Sequence, residues 1–153
     1  MIKATSDPAA TQAPGGDPTR DDIAYYNLPG VAAVTWDRTL KSVYVEWKGG
    51  SNPTYFTECL ETGLRVLQDH RGSRWLADCR NLRPILQAEQ VWLDREWFPR
   101  ALSAGLTRMA VVIAKSAIAK QNVEDILGRV SNHRLDVAYF ATIDQAAQWL
   151  IAR

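Results

Sequence analysis

The run Arg108-Met109-Ala110-Val111-Val112-Ile113 is the most apolar in the chain. A run this short and continuous reads as a strand buried on both faces, the kind found in parallel sheets covered by helices. Segments with helical spacing lie on either side of it, about 88–104 before and 117–131 after. Strands separated by helices of that length imply parallel pairing and crossovers of one hand. The rest of the chain must then supply neighbours for this strand and helices to cover it.

Both are legible. Val31 to Asp37 and Val43 to Trp47 are β-rich runs joined by the hairpin-length connection Arg38 to Ser42. In the second run Val43, Val45 and Trp47 alternate with Tyr44 and Glu46, the period of a half-buried strand. Tyr25, Tyr26 and Leu28 form a short edge strand ahead of Pro29-Gly30. Asn52 suits an N-cap and Pro53 a first helical turn. Phe56, Leu60, Leu64 (or Gly63) and Leu67 then share one helical face, and Gly72 closes that helix. Arg74 to Cys79 is a short strand. Residues 80–87 loop over Pro84 into the helix 88–104, which Gly105 stops. Leu135 to Phe140 is the last strand. Thr142-Ile143-Asp144-Gln145 has the form of a capping box, and the final helix turns Ala146, Trp149 and Leu150 to one side. The expected fold class is α/β, a mixed, mainly parallel sheet of about five strands with about four helices, in the order β-β-α-β-α-β-α-β-α.

At 153 residues the chain has the length of one domain. Residues 1–22 carry three prolines, two glycines and almost no large apolar side chain. They read as a flexible tail, with a single domain over 23–153. A net charge of +1 is too weak to argue for nucleic acid. No apolar stretch approaches the length of a membrane span, and no secretory signal is visible. Cys59 and Cys79 form no C-x-x-C and have no histidine at ligand spacing, so no metal site is expected. Two reduced thiols point to the cytoplasm.

Several segments resemble the STAS/SEC14 family, and in particular its small, uncharacterised SpoIIAA-like bacterial proteins. They are Arg74-Trp75-Leu76-Ala77-Asp78-Cys79-Arg80, Gln90-Val91-Trp92, Trp97-Phe98-Pro99-Arg100 and Tyr139-Phe140-Ala141-Thr142 with Ala146, Trp149 and Leu150. The likeness covers residues 31–151. It implies the STAS fold and a non-catalytic binding or interaction module, with regulation in the manner of the anti-sigma-factor antagonists among the implied roles. It also implies a phosphorylatable Ser or Thr just after the third strand. Here that stretch is Asp78-Cys79-Arg80-Asn81-Leu82, and residues 74–102 contain no Ser or Thr. A phosphoryl switch has no hydroxyl there to act on.

Asp78 and Arg80 fall at the C-terminal end of a parallel strand, where ligand sites of open α/β sheets gather. Two apart, they share a side. They can orient a polar group, or merely hold each other. Pro99 lies inside the second helix, so the carbonyl of Arg95 loses its helical donor and a kink is expected. Trp92 and Trp97 stand five positions apart, about 140° net on a regular helix, so one faces the sheet and the other a cleft, loop or partner. Asp78, Arg80, Trp97 and Arg100 are therefore the ligand-binding candidates. His70 and His133 read as solvent-facing, and no phosphate loop, nucleophile elbow or zinc motif is present, so no catalytic residue and no cofactor is expected. The expected partner is a protein or a small ligand, and a homodimer is compatible with this reading. Two alternatives remain open. One is a carrier of a lipid or other hydrophobic ligand, from the SEC14 kinship and the aromatic second helix. The other is an enzyme acting on a small anionic substrate through Asp78, Arg80 and Arg100.

Overall fold

The computed structural model describes residues 23–49, 53–131 and 134–152. The proposed tail, the N-cap expected at Asn52, and His133 lie outside them. Strand β1 (Ile23–Leu28) is the expected edge strand. It is followed by β2 (Ala32–Asp37), β3 (Ser42–Trp47), helix α1 (Pro53–Asp69) and β4 (Arg74–Asp78). A composite helix, α2, runs over 87–103. Then come β5 (Arg108–Val112), α3 (Ala117–Ser131), β6 (Asp136–Phe140) and α4 (Ile143–Ile151). The sheet has six strands rather than about five, because β1 pairs along β2 through a bulge between Ala24 and Tyr26.

Spatial order equals chain order, β1-β2-β3-β4-β5-β6. The first two pairings are antiparallel and the last three parallel. Each parallel step moves one strand along in the same direction. Crossovers of a single hand therefore put α1, α2 and α3 on one face. Val43, Val45, Trp75, Ala77, Met109 and Val111 line that face beneath them. The alternate residues Leu76, Ala110 and Val112 point the other way and meet Ala146 and Leu150 of α4. Strand β5 is thus buried on both faces, as its sequence requires. The Thr142 hydroxyl accepts from the Gln145 amide at 3.1 Å, and the Gln145 side chain accepts from the Ala141 rather than the Thr142 amide.

Two details depart from expectation. Helix α1 ends through Arg71, the residue with positive φ (51°), while the Gly72 amide donates to the Leu67 carbonyl at 2.8 Å. Gly72 is needed for a different reason. A Cβ there would lie 2.9 Å from the Trp36 indole. His70 is exposed but not free in solvent. Its ring stacks on Trp36 at 4.3 Å, and its Nδ1 lies 2.9 Å from the Val66 carbonyl, which can only accept, so Nδ1 carries the proton.

Candidate functional site

The C-terminal ends of the parallel strands are stitched together by backbone bonds. The Cys79 amide donates to the Val112 carbonyl (3.0 Å), the Ile113 amide to Phe140 (3.0 Å) and the Lys115 amide to Arg80 (3.1 Å). Asp78 closes β4 with its side chain turned away from the Ala77 face and almost wholly buried. Arg80 grips it with two parallel bonds, Nε to Oδ1 at 2.9 Å and Nη2 to Oδ2 at 2.8 Å. These bonds, and next the negative charge behind them, push the guanidinium pKa above its ordinary value. The Arg80 side chain remains 43% exposed.

The loop from Arg80 to Leu86 is held as firmly. Arg83 makes a second bidentate pair, to the buried carboxylate of Glu89 at 2.9 and 2.8 Å, and its guanidinium lies over the Phe56 ring. Glu89 also accepts from the Leu86 amide at 2.9 Å. That is half of a capping box, since Leu86 has no side-chain oxygen to return the bond. The Asn122 side chain of α3 accepts from the Ile85 amide at 2.9 Å. Cys79 is buried beneath this loop, and its thiol pKa is pushed up to about 12, by burial first and the Asp78 charge second. Burial raises the Cys59 thiol in the same direction. Neither is a poised nucleophile.

The four candidates do not form one site. Asp78 and Arg80 meet each other, as the alternative reading of that pair allows. Trp97 lies on the opposite face of the sheet, 1% exposed, donating Nε1–H to the Leu60 carbonyl at 2.9 Å. Arg100 reaches α1, where it pairs bidentately with Glu61 at 2.9 and 2.7 Å. The kink expected at Pro99 is resolved differently. Leu93–Trp97 form a π turn, in which the Phe98 amide donates to the Leu93 carbonyl. A fresh α-helical segment starts at Phe98, so Pro99 occupies a first-turn position where its missing N–H costs nothing. The Arg100 Nε donates to the Glu96 carbonyl at 3.1 Å. A π turn holds one residue more than an α turn, which swings positions five apart toward one side. Trp92 consequently packs, partly buried, on the same core as Trp97.

The pairings carry a testable asymmetry. Removing the Arg80 side chain strands a buried carboxylate, and hydrogen bonds to charged groups contribute about 1.5–3 kcal/mol each way. Arg100 and Glu61 are both partly exposed, and such pairs contribute about 0.2–1 kcal/mol. Urea unfolding is expected to show Arg80→Ala well below wild type and Arg100→Ala close to it. Equal losses would mean that Asp78 does not depend on Arg80.

Sequence reasoning missed two features. One is a cavity of about 70 Å³ between the sheet and the three helices, walled by Trp47, Phe56, Trp75, Met109 and Ile126 among other apolar side chains. The other is the exposure of large apolar residues on the loop, on α2 and at the start of α3. Leu86 is 49% exposed and Ile118 63%, with Val91 also in solvent. Ile118 precedes Asn122 by one helical turn on α3, and the Asn122–Ile85 bond ties the residue before Leu86 to that helix. Their bulk was readable in the sequence, but their exposure depends on packing.

Among the described residues no group of His, Cys, Asp and Glu is placed to hold a metal ion, and no helix is long and apolar enough to cross a membrane. A family model described as SpoIIAA-like matches residues 42–151. No curated protein and no solved structure matches the chain.

Proposed function

Because the chain belongs to the SpoIIAA-like family, a branch of the STAS domains, we propose that it is a non-catalytic interaction module that binds a protein partner. The partner sits across the edge built from the 79–86 loop and the start of α3. The observation that carries this reading is the exposure of Leu86 and Ile118 beside that loop. Large apolar side chains grouped in solvent mark interaction surfaces. Here the loop beneath them is fixed by the Arg80–Asp78 and Arg83–Glu89 pairs. A surface ordered beforehand loses little conformational entropy on binding.

The antagonist switch is no part of this reading, since residues 74–102 hold no hydroxyl side chain and the position after β4 is taken by the buried Cys79. Two unpaired thiols support a reducing compartment, the cytoplasm. The apolar cavity beneath the helices, about 70 Å³, is far below the roughly 300–1,000 Å³ of ordinary ligand pockets, so it has no room for an acyl chain.

The paired bait Leu86→Ser/Ile118→Ser tests the proposal. Both side chains are already exposed, so the variant is expected to unfold within about 0.5 kcal/mol of wild type for each change. A protein retained by the wild-type bait and identified by mass spectrometry is expected to be lost from the variant. Retention of the same protein by both baits would remove the edge from the binding surface, and no specific retention by wild type would count against the module itself.

A further inference from the structure

The interior cavity of about 70 Å³ is walled by aliphatic and aromatic side chains, apart from the sulfurs of Cys79 and Met109. Every residue of that wall is buried. Burial keeps the Cys79 thiol protonated, and the Trp97 N–H is already committed to the Leu60 carbonyl. A polar molecule entering such a space gives up its hydrogen bonds to water and regains none. Packing does not close the space, because the wall is braced. The Trp75 ring is seated against Gly63 of α1 on one contact and meets Trp97 edge-on at 5.0 Å on another. Trp47 stacks on Phe56 at 5.2 Å, and the Arg83 guanidinium lies over the Phe56 ring. A braced wall relaxes little into a void, so its atoms lack the dispersion contacts that a filled core provides.

From this enclosure we infer that the cavity binds a small, uncharged, apolar molecule. Such a guest supplies the dispersion contacts that the wall lacks, and no charged group of the wall favours any other kind. Size sets the limit. A water molecule's share of the liquid is about 30 Å³, so the space holds about two groups of that size. It has about half the volume of a ~150 Å³ cavity that admits either benzene or xenon. A guest the size of xenon therefore fits, and a benzene ring does not. The site is internal, separate from the Leu86–Ile118 edge, and does not depend on the interaction proposed there.

Xenon is the probe. Methyl carbon–proton NMR spectra of the full chain are recorded at increasing xenon pressure, with helium at equal pressure as the reference. Saturable shifts are expected at the methyls of Met109 and Ile126, which line the cavity. None is expected at Ile118 and Ile151, which are exposed. Benzene is expected to leave the Met109 and Ile126 methyls unmoved. Ala77→Val and Val111→Ile each add carbon to the wall, and each is expected to weaken xenon binding at least tenfold. A thermal melt checks the folding of both, and either one, folded, gives the comparison. Absence of saturable xenon shifts at Met109 and Ile126 in the wild-type chain would overturn the inference. So would equal shifts at Ile118 and Ile151, xenon binding undiminished in the filled variants, or benzene shifting the same cavity methyls.

Discussion

Replacing Trp97 by alanine is expected to cost about 3–5 kcal/mol, the range for truncating a large buried aromatic. The indole meets Trp75 edge-on at 5.0 Å and Phe98 at 4.9 Å, and its N–H bond to Leu60 ties α2 to α1. Trp97 also borders the existing cavity of about 70 Å³, so truncation enlarges a void already there rather than opening a fresh one that neighbours could close. Residual void volume costs about 24 cal/mol per Å³. Against a total stability of roughly 5–15 kcal/mol for a domain, the variant sits close to unfolding. Trp97→Phe, which keeps most of the ring packing and loses the hydrogen bond, should fall between. Guanidinium unfolding followed by far-ultraviolet circular dichroism gives both values. A loss under about 1 kcal/mol for Trp97→Ala would contradict the burial described.

The second large effect is expected at Gly63, in the middle of α1. An alanine in an exposed helix interior is favoured over glycine by about 1 kcal/mol. Here its Cβ would overlap Cη2 of Trp75 and stand 3.0 Å from Cζ2. That ring cannot retreat, because it is 1% exposed and backed by Trp97. Overpacking of this kind costs about 1–3 kcal/mol, so Gly63→Ala is expected to destabilise despite the better helix former. A double-mutant cycle with Trp75→Phe separates the clash from other causes. Removing the outer ring should make Gly63→Ala neutral or favourable. An equal penalty in both backgrounds would exclude Trp75 as the source.

The fold was legible because its strands announce themselves in different ways. The Arg108–Val112 run is apolar on both sides, Ser42–Trp47 alternates, and each helix between strands repeats its apolar residues at three and four. Edge strand β1 was readable as a short piece, but its full pairing depends on a bulge that leaves no periodic trace. The site was far less legible. Spacing put Asp78 and Arg80 on one side of a strand end but could not say that each would exhaust the other. Nothing near Arg100 in sequence reveals Glu61, which is 39 residues away. The 140° separation of Trp92 and Trp97 presumed a regular helix. Pro99 warned of an irregularity without saying that a wider turn upstream would absorb it. The Arg129–Asp94 pair that joins α3 to α2 spans 35 residues, which no local pattern encodes.

The identity of spatial and chain order across the sheet also bears on how the molecule is made. During synthesis each new strand finds its neighbour already in place, at the open border of what came before, and no strand must wedge between two that have paired. The β1–β2–β3 meander can close from local contacts alone. It then serves as a template onto which β4, β5 and β6 are laid in turn, each delivered by the helix that precedes it. The exposed border therefore migrates with translation. Besides the outer border of β1, which stays open throughout, the unpaired backbone at every intermediate length belongs to the most recently synthesised strand, and in a chain stopped before β6 it is the apolar β5, whose bare border would invite pairing with another nascent chain.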